Sequence, residues 1–117
     1  MWRRLAVPKP ADSPWAVFAL TGELDMSRTP ELDEIVASAL HGEPANAIVD
    51  LSAVTFMDSS VISWLLRFKD RTDQVGGGLR LVAPEGGILV RLLSLTGLND
   101  RFAIFPTTLE AGEIHPT

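Results

Sequence analysis

An α/β domain with mostly parallel strands is the fold class this sequence predicts, and three observations lead to it. Short apolar runs of strand length alternate with longer stretches whose apolar residues recur at helical spacing. Glycine and proline punctuate the junctions between them. The composition, 117 residues of which 46% are hydrophobic and 21% charged, suits one compact domain with a substantial core.

The elements follow in order. The N-terminus reads "MWRRLAVPKP", in which Leu5 to Val7 forms a short strand. "PKPADSP" (8–14) is a connector whose prolines oppose any regular element. "WAVFAL", Trp15 to Leu20, is a strand stopped by Thr21-Gly22. It follows the first segment too closely for a helical crossover, so the two pair antiparallel and the sheet is mixed. A helix starts at Thr29 as N-cap, with Pro30 in its first turn and Glu31 and Asp33 complementing its dipole. Leu32, Ile35, Val36, Ala39 and Leu40 mark its inner face, and Gly42 ends it.

"AIVDL", Ala47 to Leu51, is the next strand, and Ser59 to about Gln74 the next helix. Val61, Ile62, Leu65, Leu66 and Phe68 face inward; Arg67, Lys69, Asp70, Arg71 and Asp73 face water. Gly76-Gly77-Gly78 stops this helix before the strand "LRLVA" (79–83). "ILVRLLSLTG" is a short helix closed by Gly97, "FAIF" (102–105) a last strand, and "TTLEAGE" a C-terminal helix. Residues 1–117 thus read as a single domain with its core at about 15–111, preceded by a short strand and Pro-rich connector in 1–14.

Several function classes are excluded. Ten basic against 15 acidic residues give a net charge of −5, which disfavours nucleic acid and anionic membrane surfaces as partners. With no cysteine there is no disulfide and no thiolate chemistry. The apolar stretch after Arg3-Arg4 is too short for a signal peptide, and no run approaches the ~18 apolar residues of a membrane span. A soluble, cytoplasmic protein without membrane insertion is the expectation. "VGGGLR" lies after a helix and before a strand, the reverse of a phosphate loop, so it stops a helix. Ser59 and Ser60 lack a Gly-x-Ser-x-Gly elbow, and the only histidines, His41 and His115, read as structural or solvated. Glu23, Asp25, Asp33 and Glu34 match no calcium loop, and no zinc pattern exists. Neither an enzyme, a metal nor a cofactor is expected.

The remaining feature is "FMDSSVISWLL" (56–66), where three small polar residues stand between an apolar strand and an apolar helix. Asp58 is a helix cap that accepts a backbone N–H two or three residues on. Two serines are left over at the mouth of the helix. A phosphate there is favoured by the helix terminus by ~0.3–1 kcal/mol and opposed by Asp58 to a similar degree. Modification would alter the surface without unfolding the domain.

"TGELD" (21–25), "VDLSAVTFMDSS" (49–60), "GGGLRLVAP" (76–84) and "LLSLTGL" (92–98) together resemble successive landmarks of the STAS domain. The likeness is nearest to single-domain anti-sigma factor antagonists and runs from about Trp15 to Ala111. The resemblance implies a mixed sheet of four to five strands flanked by about four helices. It also implies partner switching: the unphosphorylated antagonist binds an anti-sigma factor that is a serine kinase, phosphorylation releases it, and a PP2C-type phosphatase restores it. By the same match the acceptor is Ser59, with Ser60 the neighbour that competes for the role. Asp25 and Asp58 belong to the partner surface or position the acceptor, and Thr21, Gly22 and Glu23 shape the loop beside it. The family usually has glycine after the two serines, whereas this chain has Val61, whose bulk is expected at the partner contact. That departure supports an alternative, a STAS scaffold or regulatory subunit of a transporter or sensory complex that is never phosphorylated. Trp64 reads as core, and a monomer is the expected state.

Overall fold

The computed structural model describes residues 2–5, 15–41 and 45–113. Within them lie the strands β1 (Trp2–Leu5), β2 (Trp15–Leu24), β3 (Asn46–Met57), β4 (Gly78–Val82) and β5 (Ala103–Phe105). The helices are α1 (Thr29–Leu40), α2 (Ser59–Gln74), α3 (Ile88–Thr96) and α4 (Thr108–Glu113). Short 3₁₀ turns occupy Met26–Arg28 and Asn99–Arg101. The strands form one sheet in the order β1-β2-β3-β4-β5, with β1 antiparallel to β2 and the other neighbours parallel. The mixed α/β sheet is therefore as expected. The connector at 8–14, Gly42 and His115 lie outside the described residues.

Alternation along the central strands sorts their side chains onto two faces. Phe18 and Leu20, Ala47, Val49 and Leu51, and Leu79 and Leu81 share one core with the inner faces of α1, α2 and α3. Trp15, Val17, Ile48 and Val82 form a smaller cluster with Ala111 of α4. Covered on both faces, Ala47-Ile48-Val49 reads as an unbroken apolar run. In the smaller cluster Arg80 is buried. Its guanidinium carbon lies 4.0 Å from the centre of the Trp15 ring, and it donates to the Ala111 carbonyl of α4. No helix among the described residues is long and apolar enough to cross a membrane.

Two strands run further than their sequence suggests. β2 does not stop at Thr21-Gly22 but continues to Leu24, and β3 continues past Leu51 to Met57. The pairing of β2 with β3 shifts register between Ala19 and Thr21 and again between Gly22 and Glu23, each time with the extra residue on β3. Such bulges scramble the alternation that would mark a strand. Gly22, at φ +79° between the two shifts, takes a backbone conformation closed to most side chains, so here glycine continues a strand. β1 reaches only Val17–Leu20 and β4 only Asn46–Asp50. Beyond them, β2 and β3 extend as a two-stranded parallel ribbon.

The helix-stop reading of "VGGGLR" holds: α2 ends at Gln74 and β4 begins at Gly78. A side chain at Gly77 would drive its Cβ to 2.0 Å from the Ala45 carbonyl oxygen. α3 ends at Gly97, as expected, with Leu98 N–H donating to the Leu93 carbonyl at 2.8 Å. Thr29 is not the cap of α1. It lies inside the helix, and its hydroxyl donates to the Met26 carbonyl at 2.7 Å, because the 3₁₀ turn has already begun the winding.

Candidate functional site

The ribbon ends with Leu24 paired to Met57, so the chain leaves both strands side by side through Asp25 and Asp58. The two exits have the same construction. Asp58 Oδ1 accepts the Ser60 N–H at 3.0 Å and also the Ser60 hydroxyl, while its carbonyl accepts the Val61 N–H at 3.1 Å. Asp25 Oδ1 accepts the Ser27 N–H at 2.9 Å and the Ser27 hydroxyl, while its carbonyl accepts the Arg28 N–H at 3.1 Å. Each aspartate is extended and each following turn is helical, the arrangement that lets a short carboxylate satisfy the first free N–H groups. The Ser27 hydroxyl, then the Ser27 N–H and more weakly the Arg28 guanidinium, hold the Asp25 carboxyl below its ordinary range against a small opposing effect of burial.

This geometry separates the two serines. Ser60 is half-buried and its hydroxyl is committed to Asp58. Ser59 is exposed, and its hydroxyl has no hydrogen-bond partner among the described residues. Asp58 caps α2 as expected, from two residues away. In the first turn the place of Ser59 is taken by Met26, 73% exposed. Phe56, 50% exposed, lies on the same ribbon opposite Glu23. A shallow cavity of about 210 Å³ joins the two exits, with Asp25 and Met26 on one wall and Ser60, Ser63, Trp64 and Arg67 on the other.

Val61, read both as an inward-facing helix residue and as bulk at the partner contact, takes the first of these places. Val61 is 0% exposed and belongs to the core of α2. Its bulk points inward, away from any partner, because the third position after Asp58 is the first inward-facing position of the helix. Trp64 is buried, as expected. Thr21 and Glu23 are exposed and Gly22 half-buried, but all three lie in strand β2 rather than in a loop. His41 ends α1 with its backbone N–H on the Ala39 carbonyl. Among the described residues no group of three His, Cys, Asp or Glu could hold a metal ion.

Arg28 is a positioning residue that sequence reasoning missed. Its Nη1 donates to the carbonyls of Thr21 and Glu23, both at 2.8 Å, and its Nη2 meets Glu31 Oε2 at 2.9 Å. The two carbonyls are two residues apart on one edge of β2, beyond the end of β1. Arg28 therefore ties the ribbon to the first turn of α1. The signal in the sequence was the repeat Asp-x-Ser at 25–27 and 58–60, each copy directly after a strand.

The chain as a whole is similar to known proteins. The chain is 28% identical over 97 residues to "Anti-sigma-F factor antagonist RsfB" of Mycobacterium tuberculosis, covering 82% of this chain and 77% of that protein. A crystal structure of an anti-sigma factor antagonist from Mycobacterium paratuberculosis matches with a TM-score of 0.73 and 27% identity, over 97% of this chain and 96% of that one. The fold is also that of the Bacillus protein SpoIIAA. Its unphosphorylated form matches at TM-score 0.71 and 21% identity over 95% of this chain and 92% of that one; its phosphorylated form matches at 0.62 and 20%, over 95% and 96%. The model of the STAS domain matches residues 6–111, most of the sheet and all three core-forming helices, and the chain belongs to the STAS domain family.

Proposed function

We propose that this chain is an anti-sigma factor antagonist that works by partner switching, with Ser59 as the phospho-acceptor. The observation that carries the reading is the division of labour at the start of α2: Asp58 and Ser60 close the turn on each other, and the Ser59 hydroxyl stands exposed with no partner among the described residues. A kinase needs a free, accessible hydroxyl, and this turn offers one. The mycobacterial relatives named as antagonists support the assignment.

In this reading the unphosphorylated face binds an anti-sigma factor that is itself a serine kinase. The contact is made by Thr21, Glu23, Asp25, Met26, Phe56, Asp58 and Ser59 around the ribbon end, with Gly22 and Ser60 shaping it. Phosphate adds about −1.5 to −2 charges beside Asp58, Asp25 and Glu23, taking a chain of net charge −5 to roughly −7. A dianion enclosed in a packed contact costs several kcal/mol by desolvation and repulsion. At ~1.4 kcal/mol per tenfold in affinity this dissociates a submicromolar complex. α2 keeps its cap, so the fold survives, and a PP2C-type phosphatase reverses the change. The protein acts as a binding module in the cytoplasm and catalyses nothing itself. The scaffold alternative drew its support from Val61, and a buried Val61 withdraws it.

The test is a pull-down from the native host with tagged Ser59→Ala and Ser59→Asp chains, proteins identified by mass spectrometry. The reading expects Ser59→Ala to retain an anti-sigma factor with an ATP-binding kinase domain and Ser59→Asp to lose it. Equal recovery with both chains, or recovery of transporter subunits instead, contradicts it.

A further inference from the structure

We propose that Met26 is a second modification site on the same face: a peroxide oxidises its thioether to the sulfoxide, and the sulfoxide weakens the contact that phosphate on Ser59 weakens. The effect on binding rests on the antagonist reading above; the oxidation itself does not.

Position comes first. Met26 occupies in the Asp25 turn the place that Ser59 occupies in the Asp58 turn, and the two turns leave neighbouring parallel strands at the same level. It shares a cavity wall with Asp25 opposite Ser60 and Ser63. The turn is held from both ends, by Asp25 on Ser27 and by Arg28 on the carbonyls of Thr21 and Glu23. The side chain is thereby kept out in water, 73% exposed, and takes no part in the core. With Phe56 beside Glu23 it places two large apolar groups at the ribbon end. Long apolar side chains exposed beside a contact site act as anchors there.

Chemistry follows from exposure. A thioether lone pair attacks one oxygen of the peroxide, forming an S–O bond as the O–O bond breaks. Sulfur loses two electrons, the peroxide gains them, and the proton on the transferred oxygen passes to the departing hydroxide, leaving the sulfoxide and water. The product is a polar, chiral side chain that methionine sulfoxide reductases return to the thioether. Burying the sulfoxide in a packed contact leaves a strong acceptor to be matched. Met57, also on the ribbon and next to Asp58, is only 4% exposed, so the chain carries its own protected control.

The experiment uses the full chain in the Ser59→Ala background, so that phosphate cannot contribute. It is treated with hydrogen peroxide and followed by peptide mass spectrometry, and its binding to the anti-sigma factor kinase of the native host is measured before and after. Met26 is expected to take up one oxygen at least about tenfold faster than Met57. Affinity is expected to fall roughly tenfold, to return after methionine sulfoxide reductase treatment, and to be unmoved by peroxide in a Met26→Leu chain, which keeps the apolar volume. Oxidation of Met26 no faster than Met57, or equal binding before and after it, overturns the inference. Failure of the untreated chain to bind the kinase overturns the antagonist reading, and the binding half of this inference falls with it.

Discussion

Two turns of one design sit side by side at the end of the β2–β3 ribbon and differ in two side chains. Asp25-Met26-Ser27-Arg28 and Asp58-Ser59-Ser60-Val61 share the aspartate, the capped serine and the backbone hydrogen bond that closes the turn. At the second position one offers a thioether and the other a hydroxyl. At the fourth, Arg28 turns back to grip the strand, whereas Val61 enters the core. The shared residues build the turn and the unshared ones give it a use. Capping accounts for the aspartate and second serine and leaves Ser59 unexplained by structure, which is why it is the residue to examine for chemistry.

The fourth position gives the largest expected effect. Val61→Gly, which restores the usual family residue, empties a fully buried site and puts glycine inside a helix, so unfolding in urea should show a loss of about 3 kcal/mol. A loss under 1 kcal/mol would mean that the core around Val61 closes over the gap. Arg28→Ala removes the donors that serve Thr21, Glu23 and Glu31. A smaller loss of about 1–2 kcal/mol is expected, with amide exchange at Asp25 to Ser27 rising more than at Ser59 to Val61. Equal rises would show that the two turns open as one unit.

The first position comes next. Asp58→Ala uncaps the 16 residues of α2, and a loss of about 1 kcal/mol is expected; Asp25→Ala uncaps a turn of 3 residues and should leave the urea midpoint where it is. The reverse order would contradict the view that Asp58 carries the helix and Asp25 only the surface. The smallest effect is that of acid. The Asp25 carboxyl sits below its ordinary value of 3.8, so its hold on Ser27 is complete above that pH and is lost only as pH falls through the lowered value. The Ser27 amide resonance should therefore be flat from neutrality to about pH 4 and move only below it. A midpoint above the ordinary value would mean that Ser27 does not hold the carboxylate.

The order and type of the elements were legible because each helix of the main core shows one apolar stripe and each central strand an apolar run with glycine or proline close to at least one end. α2 is the clearest case, from Ser59 to Gln74. The ribbon was not legible. Ser52, Ala53, Thr55 and Phe56 are exposed, and the two register shifts destroy the alternation that would have extended β3 beyond Leu51. Arg80 was hidden for another reason: a lone arginine in a strand reads as outward-facing, and α4 with the rings of Trp15 and Phe105, distant in sequence, bury it. At the site, Asp58 as cap followed from its place alone. The choice between Ser59 and Ser60 did not, since it depends on which hydroxyl the aspartate takes. Val61 carried two readings, an inward face from its helical phase and a partner contact from its nearness to the serines, and the structure follows the phase.

The most direct test of the central claim is to map the phosphate. The chain is expressed in its native host, at rest and under stress, with Ser59→Ala in parallel, and the peptide spanning 58–60 is sequenced by mass spectrometry. The account predicts phosphate on Ser59, none on Ser60, and none on this peptide in the Ser59→Ala chain. Phosphate on Ser60, or a peptide unmodified under every condition, would contradict it.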